Sequence, residues 1–277
     1  MLSDSWLVGT GGGVYAANDQ GKFERLGAYQ FRVTALTGSG TRVLAATGSG
    51  LWEVREDRWV QLHDETLTEV MDVIDTGPTM IAASAYGVAF GTVDPSGVPH
   101  WDWLSDDLNV NQRFTNAIVR LDDTRLLAGT EGGVLIHHAT TGWSTTSLTS
   151  PVRCLLRSGD GYLAGANDGL WASADGQHWR PTGVTATVYA LTANEDVVVA
   201  GSEEGVLVSA AGSPWCAAGL PGLRVTALAL SATDAGLWYA GGVPGGLWRT
   251  TDHGQSWVAV PEVHIEVESI FAPGGRQ

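Results

Sequence analysis

A Gly followed by Val or Leu returns seven times along this chain: Gly13-Val14, Gly50-Leu51, Gly87-Val88, Gly133-Val134, Gly169-Leu170, Gly205-Val206 and Gly246-Leu247. The intervals are 37, 37, 46, 36, 36 and 41 residues. Around each copy, short β-branched or aromatic runs alternate with clusters of Gly, Ser and Asp. Short antiparallel strands joined by tight turns read this way. One such unit cannot bury its apolar faces alone, whereas units stacked about an axis can. The period predicts an all-β, seven-bladed β-propeller, one four-stranded antiparallel blade per repeat.

The second repeat shows the blade most plainly. Val33-Thr34-Ala35-Leu36 reads as the inner strand, Arg42 to Thr47 as the second, Leu51-Trp52-Glu53-Val54 as the third and Trp59-Val60-Gln61-Leu62 as the outer strand. Inner strands align with it at Val70-Met71-Asp72-Val73, Thr115-Asn116-Ala117-Ile118, Val152-Arg153-Cys154-Leu155, Val188-Tyr189-Ala190-Leu191 and Val225-Thr226-Ala227-Leu228. An aromatic is expected to open each outer strand and fill the space between blades: Phe23, Trp59, Trp101, Trp143, Trp179, Trp215 and Trp257. The first repeat lacks an inner strand, and Val267-Glu268-Ser269-Ile270 is a spare one at the other end. Pairing the two closes the ring by the C-terminal strand and leaves no free edge. The repeat runs end to end, so residues 1–277 are read as a single domain with a short flexible tail at 273–277.

With 15 basic against 30 acidic residues the net charge is -15, which repels phosphate backbones and argues against nucleic acid as a partner. No stretch approaches the roughly 18 apolar residues of a membrane helix, so no membrane partner is expected. The N-terminus lacks the pattern of a secretory leader, and the two cysteines, Cys154 and Cys216, fall in different blades, so no disulfide is expected. A cytoplasmic, monomeric protein without a cofactor is the expectation.

Thr250-Thr251-Asp252-His253-Gly254-Gln255-Ser256-Trp257 resembles the Asp box of bacterial-neuraminidase-repeat (BNR) propellers. Ser173 to Trp179 resembles it with one residue deleted, and Asn18 to Phe23 is a fainter relative. The whole pattern is similar to seven-bladed YVTN and Asp-box propellers. That resemblance implies a turn between third and outer strands, away from the ligand face, whose Asp holds backbone N–H groups. Phe31-Arg32-Val33-Thr34 also resembles the Phe-Arg-Ile-Pro motif of sialidases, but the Pro is missing and no Tyr–Glu nucleophile pair is evident. Fold does not carry that activity over.

The resemblance places ligands at the axial mouth, where the loops leading into the inner strands meet the loops between second and third strands. The first group of loops brings Arg32, Glu69, Met71, Asn116, Arg153, Tyr189, His264, Arg224, Glu266 and Glu268. Three arginines can fork onto a carboxylate or phosphate, so Arg32, Asn116, Arg153, Tyr189, Arg224 and Glu266 are ligand-binding candidates. Catalytic candidates are Glu69, Tyr189, His264 and Glu268; the competing reading is a ring of salt bridges around a wet channel. The second group brings Thr10, Ser49, Ser84, Tyr86, Glu131, Asp168, Glu203 and Glu204. Of these, Glu131, Asp168, Glu203 and Glu204 are weak candidates for a metal, against a solvated acidic rim.

The long third repeat adds His100-Trp101-Asp102-Trp103, whose alternation sets both Trp on one face and a His–Asp pair on the other. It also adds a polar loop, with Asp106, Asp107, Asn109, Asn111 and Arg113, that is expected to reach the mouth and touch a partner. Gly9-Thr10-Gly11-Gly12-Gly13 is followed by no helix and is not a phosphate loop. His137 and His138 point to opposite faces of a strand and do not chelate. The leading expectation is a non-catalytic scaffold that binds a protein partner or a small anionic ligand. The alternative is a lyase, cyclase or hydrolase at the same mouth, and the lesser alternative is cation binding at the rim.

Overall fold

The computed structural model describes residues 1–210 and 213–274. It contains seven four-stranded antiparallel sheets. Blade 1 consists of β1 (Leu7–Thr10), β2 (Gly13–Ala17) and β3 (Phe23–Arg25), with its inner strand supplied from the far end of the chain. Blade 2 runs through β4 (Val33–Ser39), β5 (Arg42–Thr47), β6 (Gly50–Val54) and β7 (Trp59–Gln61). Blade 3 holds β8 (Val70–Asp75), β9 (Thr79–Ser84), β10 (Gly87–Val93) and β11 (Pro99–Trp103). A four-residue helix, α1 (Val110–Arg113), leads into blade 4: β12 (Thr115–Arg120), β13 (Arg125–Thr130), β14 (Gly133–His138) and β15 (Gly142–Thr145).

Blade 5 is β16 (Val152–Ser158), β17 (Gly161–Ala166), β18 (Gly169–Ser173) and β19 (Arg180–Pro181). Blade 6 is β20 (Val188–Ala193), β21 (Val197–Ser202), β22 (Gly205–Ala210) and β23 (Cys216–Ala217). Blade 7 is β24 (Arg224–Leu230), β25 (Trp238–Val243), β26 (Leu247–Thr250) and β27 (Val258–Val260). The last strand, β28 (Val267–Phe271), pairs with β1 and closes the ring, as the spare repeat predicts.

The repeated glycine has a conformational cause. Gly13, Gly50, Gly87, Gly133, Gly169, Gly205 and Gly246 all have φ between 104° and 136°, which side-chain-bearing residues rarely adopt. Just before most of them, a buried hydroxyl closes the turn. Thr10, Thr47, Thr130 and Ser202 donate to the carbonyls of Gly13, Gly50, Gly133 and Gly205 at 2.8–2.9 Å.

The core is distributed between blades. Seven buried apolar clusters each draw on two neighbouring blades, one cluster per junction. Close approach depends on a glycine in the second strand. A Cβ on Gly9, Gly129, Gly165 or Gly201 would lie 2.6–2.8 Å from a Cγ1 of Val33, Val152, Val188 or Val225 in the next blade.

The outer aromatics depart from expectation in placement. Phe23 and Trp59 open their strands, but Trp101 lies mid-strand, Trp143 comes second, and Trp179, Trp215 and Trp257 precede theirs. Phe23, Trp59, Trp101 and Trp179 are buried, whereas Trp143, Trp215 and Trp257 are half-buried. The indoles of Trp101, Trp143 and Trp257 donate to Leu62, Leu104 and Ala218 carbonyls in the preceding blade, so each also fixes blade spacing. Both cysteines are free. Among the described residues no helix is long and apolar enough to cross a membrane. Of the tail expected at 273–277, residues 275–277 lie outside the described residues.

Candidate functional site

Every inner strand carries a β-bulge at the same point. The residue without a partner in the second strand is Thr34, Met71, Asn116, Arg153, Tyr189, Thr226 or Glu268, in chain order. A bulge leaves one residue out of the ladder and re-aims its side chain. Here it does so once per blade, where neighbouring inner strands come together. Five of the seven were expected at the mouth. Thr34 and Thr226 were missed because Val-Thr-Ala-Leu recurs in blades 2 and 7 and reads as scaffold. Their place in the aligned column was the available signal.

The expected arginines divide into two kinds. Arg32 forks onto Glu268, with Nε to Oε1 at 2.9 Å and Nη2 to Oε2 at 3.1 Å. That charge-assisted pair, reinforced by Glu266, raises the Arg32 pKa against the opposing effect of burial. Arg153 donates to Glu131 at 2.5 Å and to Asn167 at 2.8 Å. Asn116 donates to the same Glu131 oxygen at 3.1 Å and to the Val152 carbonyl at 2.9 Å. One ion pair therefore joins blades 1 and 2, and another joins blades 4 and 5. Arg224 differs: its guanidinium lies 5.6 Å from the centre of the Tyr189 ring, and among the described residues it has no carboxylate within ion-pair distance.

The catalytic candidates do not assemble. Glu268 is held by Arg32, Tyr189 lies beneath Arg224, and His264 and Glu69 are exposed on separate loops. Among the described residues no hydrogen bond joins any two of these four. Glu69 is held at φ 46°, and its backbone joins the turn of blade 2 at Gly48 to that of blade 3 at Ala85.

The carboxylates proposed for a metal also stand apart. Glu131 takes Arg153, Asp168 accepts from the Trp171 indole at 3.1 Å, and Glu203 accepts from the Thr187 N–H at 3.1 Å. Among the described residues no three His, Cys, Asp or Glu side chains are grouped to hold a metal. Two residues expected to face the mouth are corrected: Thr10 and Ser84 are fully buried inside their turns. His100 lies 3.6 Å from Asp94 across its own hairpin, and His100 and Asp102 are both exposed on the outer strand.

The third-repeat loop packs against blades 3 and 4. Ser105 is buried and accepts from Val88 N–H at 3.0 Å, anchoring the loop to β10. Asn109 and Gln112 form a capping box on α1, and Arg113 donates to the carbonyls of Leu108 and Asp106. α1 lies against β10 and β13, with Gln112 and Asn111 beside Gly132 in the second turn of blade 4. Asp106, Asp107, Asn109 and Asn111 remain exposed, as do Val110 and Tyr86.

At the other end of the strands, the Asp-box-like turns do hold backbone N–H groups. Asp252 accepts from Ser256 N–H at 2.9 Å, and Asp175 from Gln177 and His178 at 2.9 and 2.8 Å. The Ser256 hydroxyl and neighbouring donors hold the Asp252 pKa down to about 2. Asn18 and Asp94 do the same work in blades 1 and 3, the latter without a recognisable motif. On this side a recess of about 710 Å³ opens between blades 5 and 6, with Tyr162, Leu163, Arg180, Val198 and Trp215 on its walls. It exists because β19 and β23 are two residues long and cover little of the sheets behind them.

Similar structures agree with the ring and stop there. A computationally designed protein, Ika8, is 18% identical with a TM-score of 0.64, covering 96% of this chain and 86% of that one. The extracellular domain of BT3049 from B. thetaiotaomicron is 13% identical with a TM-score of 0.65, covering 92% of this chain and 45% of that one. PorZ, a bacterial surface component of the type-IX secretion system of Porphyromonas gingivalis, is 16% identical with a TM-score of 0.60, covering 91% of this chain and 37% of that one. This chain thus spans less than half of these two bacterial chains. At such identities the likeness shows the propeller fold alone. No protein-family model matches the chain, and no curated protein matches it.

Proposed function

We propose that this chain is a non-catalytic binding propeller, of the Asp-box type its turns resemble, that presents the mouth and the 105–113 loop to a protein partner. One observation carries the reading: the seven bulges turn seven side chains, of six residue types, out of an otherwise repetitive wall. Scaffold positions repeat here, as the turn glycines and inter-blade valines do. Side chains that differ from blade to blade around one ring suit selective binding.

Charge favours one partner class. Arg32 and Arg153 are neutralised by Glu268 and Glu131, which leaves Arg224 as the mouth arginine without a carboxylate partner among the described residues. Glu69, Glu203, Glu204 and Glu266 are exposed on the loops of the other blades. A small anion would meet this field and compete with Glu131 for Arg153. A basic segment of a partner meets complementary charge, which favours encounter and orientation.

The test is binding of the purified protein to arginine- and lysine-rich peptides, followed by calorimetry in low and high salt. Saturable binding that weakens with salt and is lost on Glu204→Lys with Glu266→Lys supports the reading. Binding confined to small carboxylates and lost on Arg224→Ala overturns it in favour of an anion site. Turnover of any bound compound overturns the non-catalytic reading.

A further inference from the structure

The inner strands are joined around the axis by one recurring contact. A short side chain of one blade donates to the carbonyl of the first residue of the next inner strand. Ser269 donates to Val33 at 3.3 Å, Thr34 to Val70 at 2.6 Å, Asn116 to Val152 at 2.9 Å, and Thr226 to Val267 at 2.6 Å. The Cys154 thiol reaches the Val188 carbonyl at 3.9 Å. Blades 6 and 7 replace the contact with Tyr189 under Arg224.

Blades 3 and 4 reverse it. Met71 has no donor at the bulge. The next residue, Asp72, accepts from the Ile118 N–H at 2.9 Å through one carboxylate oxygen, and from its own neighbour Val73 at 2.8 Å through the other. No side chain of blade 3 donates to the Thr115 carbonyl, which is the place the other junctions use. A carboxylate has no proton to give there, while a carboxylic acid has one.

We propose that Asp72 is a pH-sensitive latch: on protonation it becomes a donor toward the blade 4 inner strand and tightens the junction beneath α1. The surroundings suit a group that takes up a proton. Asp72 is half-buried at the blade junction, and desolvation of its carboxyl pushes the pKa up to about 6 against the lowering effect of the two N–H donors. The elements packed against β8 are β4, β5, β9 and β12. β4 and β9 carry no titratable side chain. β5 carries Arg42, which pairs with Glu53 and Asp75, and β12 carries Arg120, which pairs with Asp123. On β8's own segment, Glu69 is exposed at the mouth. No counter-cation is therefore within reach of Asp72 among the described residues.

The consequence reaches the binding face through one strand. Asn116 stands between Thr115 and Ile118, and it holds Glu131 and, through it, Arg153. Tightening this stretch of β12 fixes that network and the α1 loop before it.

The test is amide hydrogen exchange on the full-length protein at about pH 7.5 and about pH 5, corrected for the intrinsic exchange rate. A carboxyl titrating at about 6 rather than 3.8 should raise protection of residues 110–120 about tenfold on going to the lower pH. Asp72→Asn, which carries a permanent donor, and Asp72→Ser, which copies Ser269, should abolish that local rise. Retention of the rise in both variants overturns the latch, as does its absence in the wild type. If neither variant folds, a carboxyl carbon titration of Asp72 by NMR decides. A midpoint near 6, with Ile118 amide shifts following it, supports the latch, and a midpoint near 4 overturns it.

Discussion

Gly129→Ala tests whether blade spacing is set by missing methyl groups. The added Cβ would lie 2.6 Å from Val152 Cγ1 and 3.2 Å from its Cβ, with Leu155 Cδ1 at 3.4 Å. Val152 is fully buried at the start of β16, so it cannot swing into solvent. Two effects oppose each other. Replacing Gly restricts the unfolded chain and stabilises by about 0.4–1 kcal/mol. Forcing a methyl into a packed interface costs about 1–3 kcal/mol. The second effect wins, for a net loss of up to about 2.6 kcal/mol and a melting temperature up to about 5 °C lower for a domain this size. Calorimetry with a double-mutant cycle checks it. Val152→Ala alone leaves a cavity and destabilises by about 2 kcal/mol. Combined with Gly129→Ala, the loss should be smaller than the sum, because the new methyl fills the space vacated. Ala46 and Ala83 occupy the same register in blades 2 and 3, which shows that the ring tolerates a methyl where the facing side chain allows it. Neutral or stabilising behaviour of Gly129→Ala, or strict additivity in the cycle, refutes the steric account.

Three further outcomes are expected. The Asp72 pKa is raised in the folded state, so ionisation penalises folding above about pH 6 and the penalty is relieved as pH falls from about 6 toward 3.8. Asp72→Asn should therefore stabilise the protein at pH 7.5 by up to about 3 kcal/mol and leave it little changed at pH 4, as read by chemical denaturation. The Asp252 pKa is depressed to about 2, so its contribution is complete above about pH 4 and is lost as pH falls toward 2. Asp252→Asn should flatten the acid limb of the thermal stability profile, and an unchanged limb excludes this turn as a contributor. Arg42→Met removes the cation facing Asp75, whose side chain is 1% exposed, and should cost about 3–5 kcal/mol; a loss within experimental error would mean that Asp75 finds another partner.

Much of the fold is legible because its causes are local and repeated. A turn that needs φ near 120° needs Gly, and seven such turns write a period into the sequence. The spare strand at Val267–Phe271 announces ring closure because an inner strand is missing at the start. The mouth is only half legible. Alignment brings Arg32, Arg153 and Arg224 to one rim, but not the choice of Glu268 for Arg32, of Glu131 for Arg153, or of a tyrosine ring for Arg224. Those pairings join residues 22 to 236 positions apart, and their geometry follows from bulges that leave no mark on composition. The reversed contact at Asp72 is of the same kind. Its sequence reads as one polar residue in an apolar strand. Only the approach of β12, which brings the Ile118 N–H to a half-buried carboxyl with no cation beside it, gives it a shifted proton affinity. Backbone demands at each turn fix the residue type locally, so sequence alone determines the seven-bladed ring. Side-chain charge and proton affinity depend on neighbours in space, so the tertiary structure decides the character of the mouth.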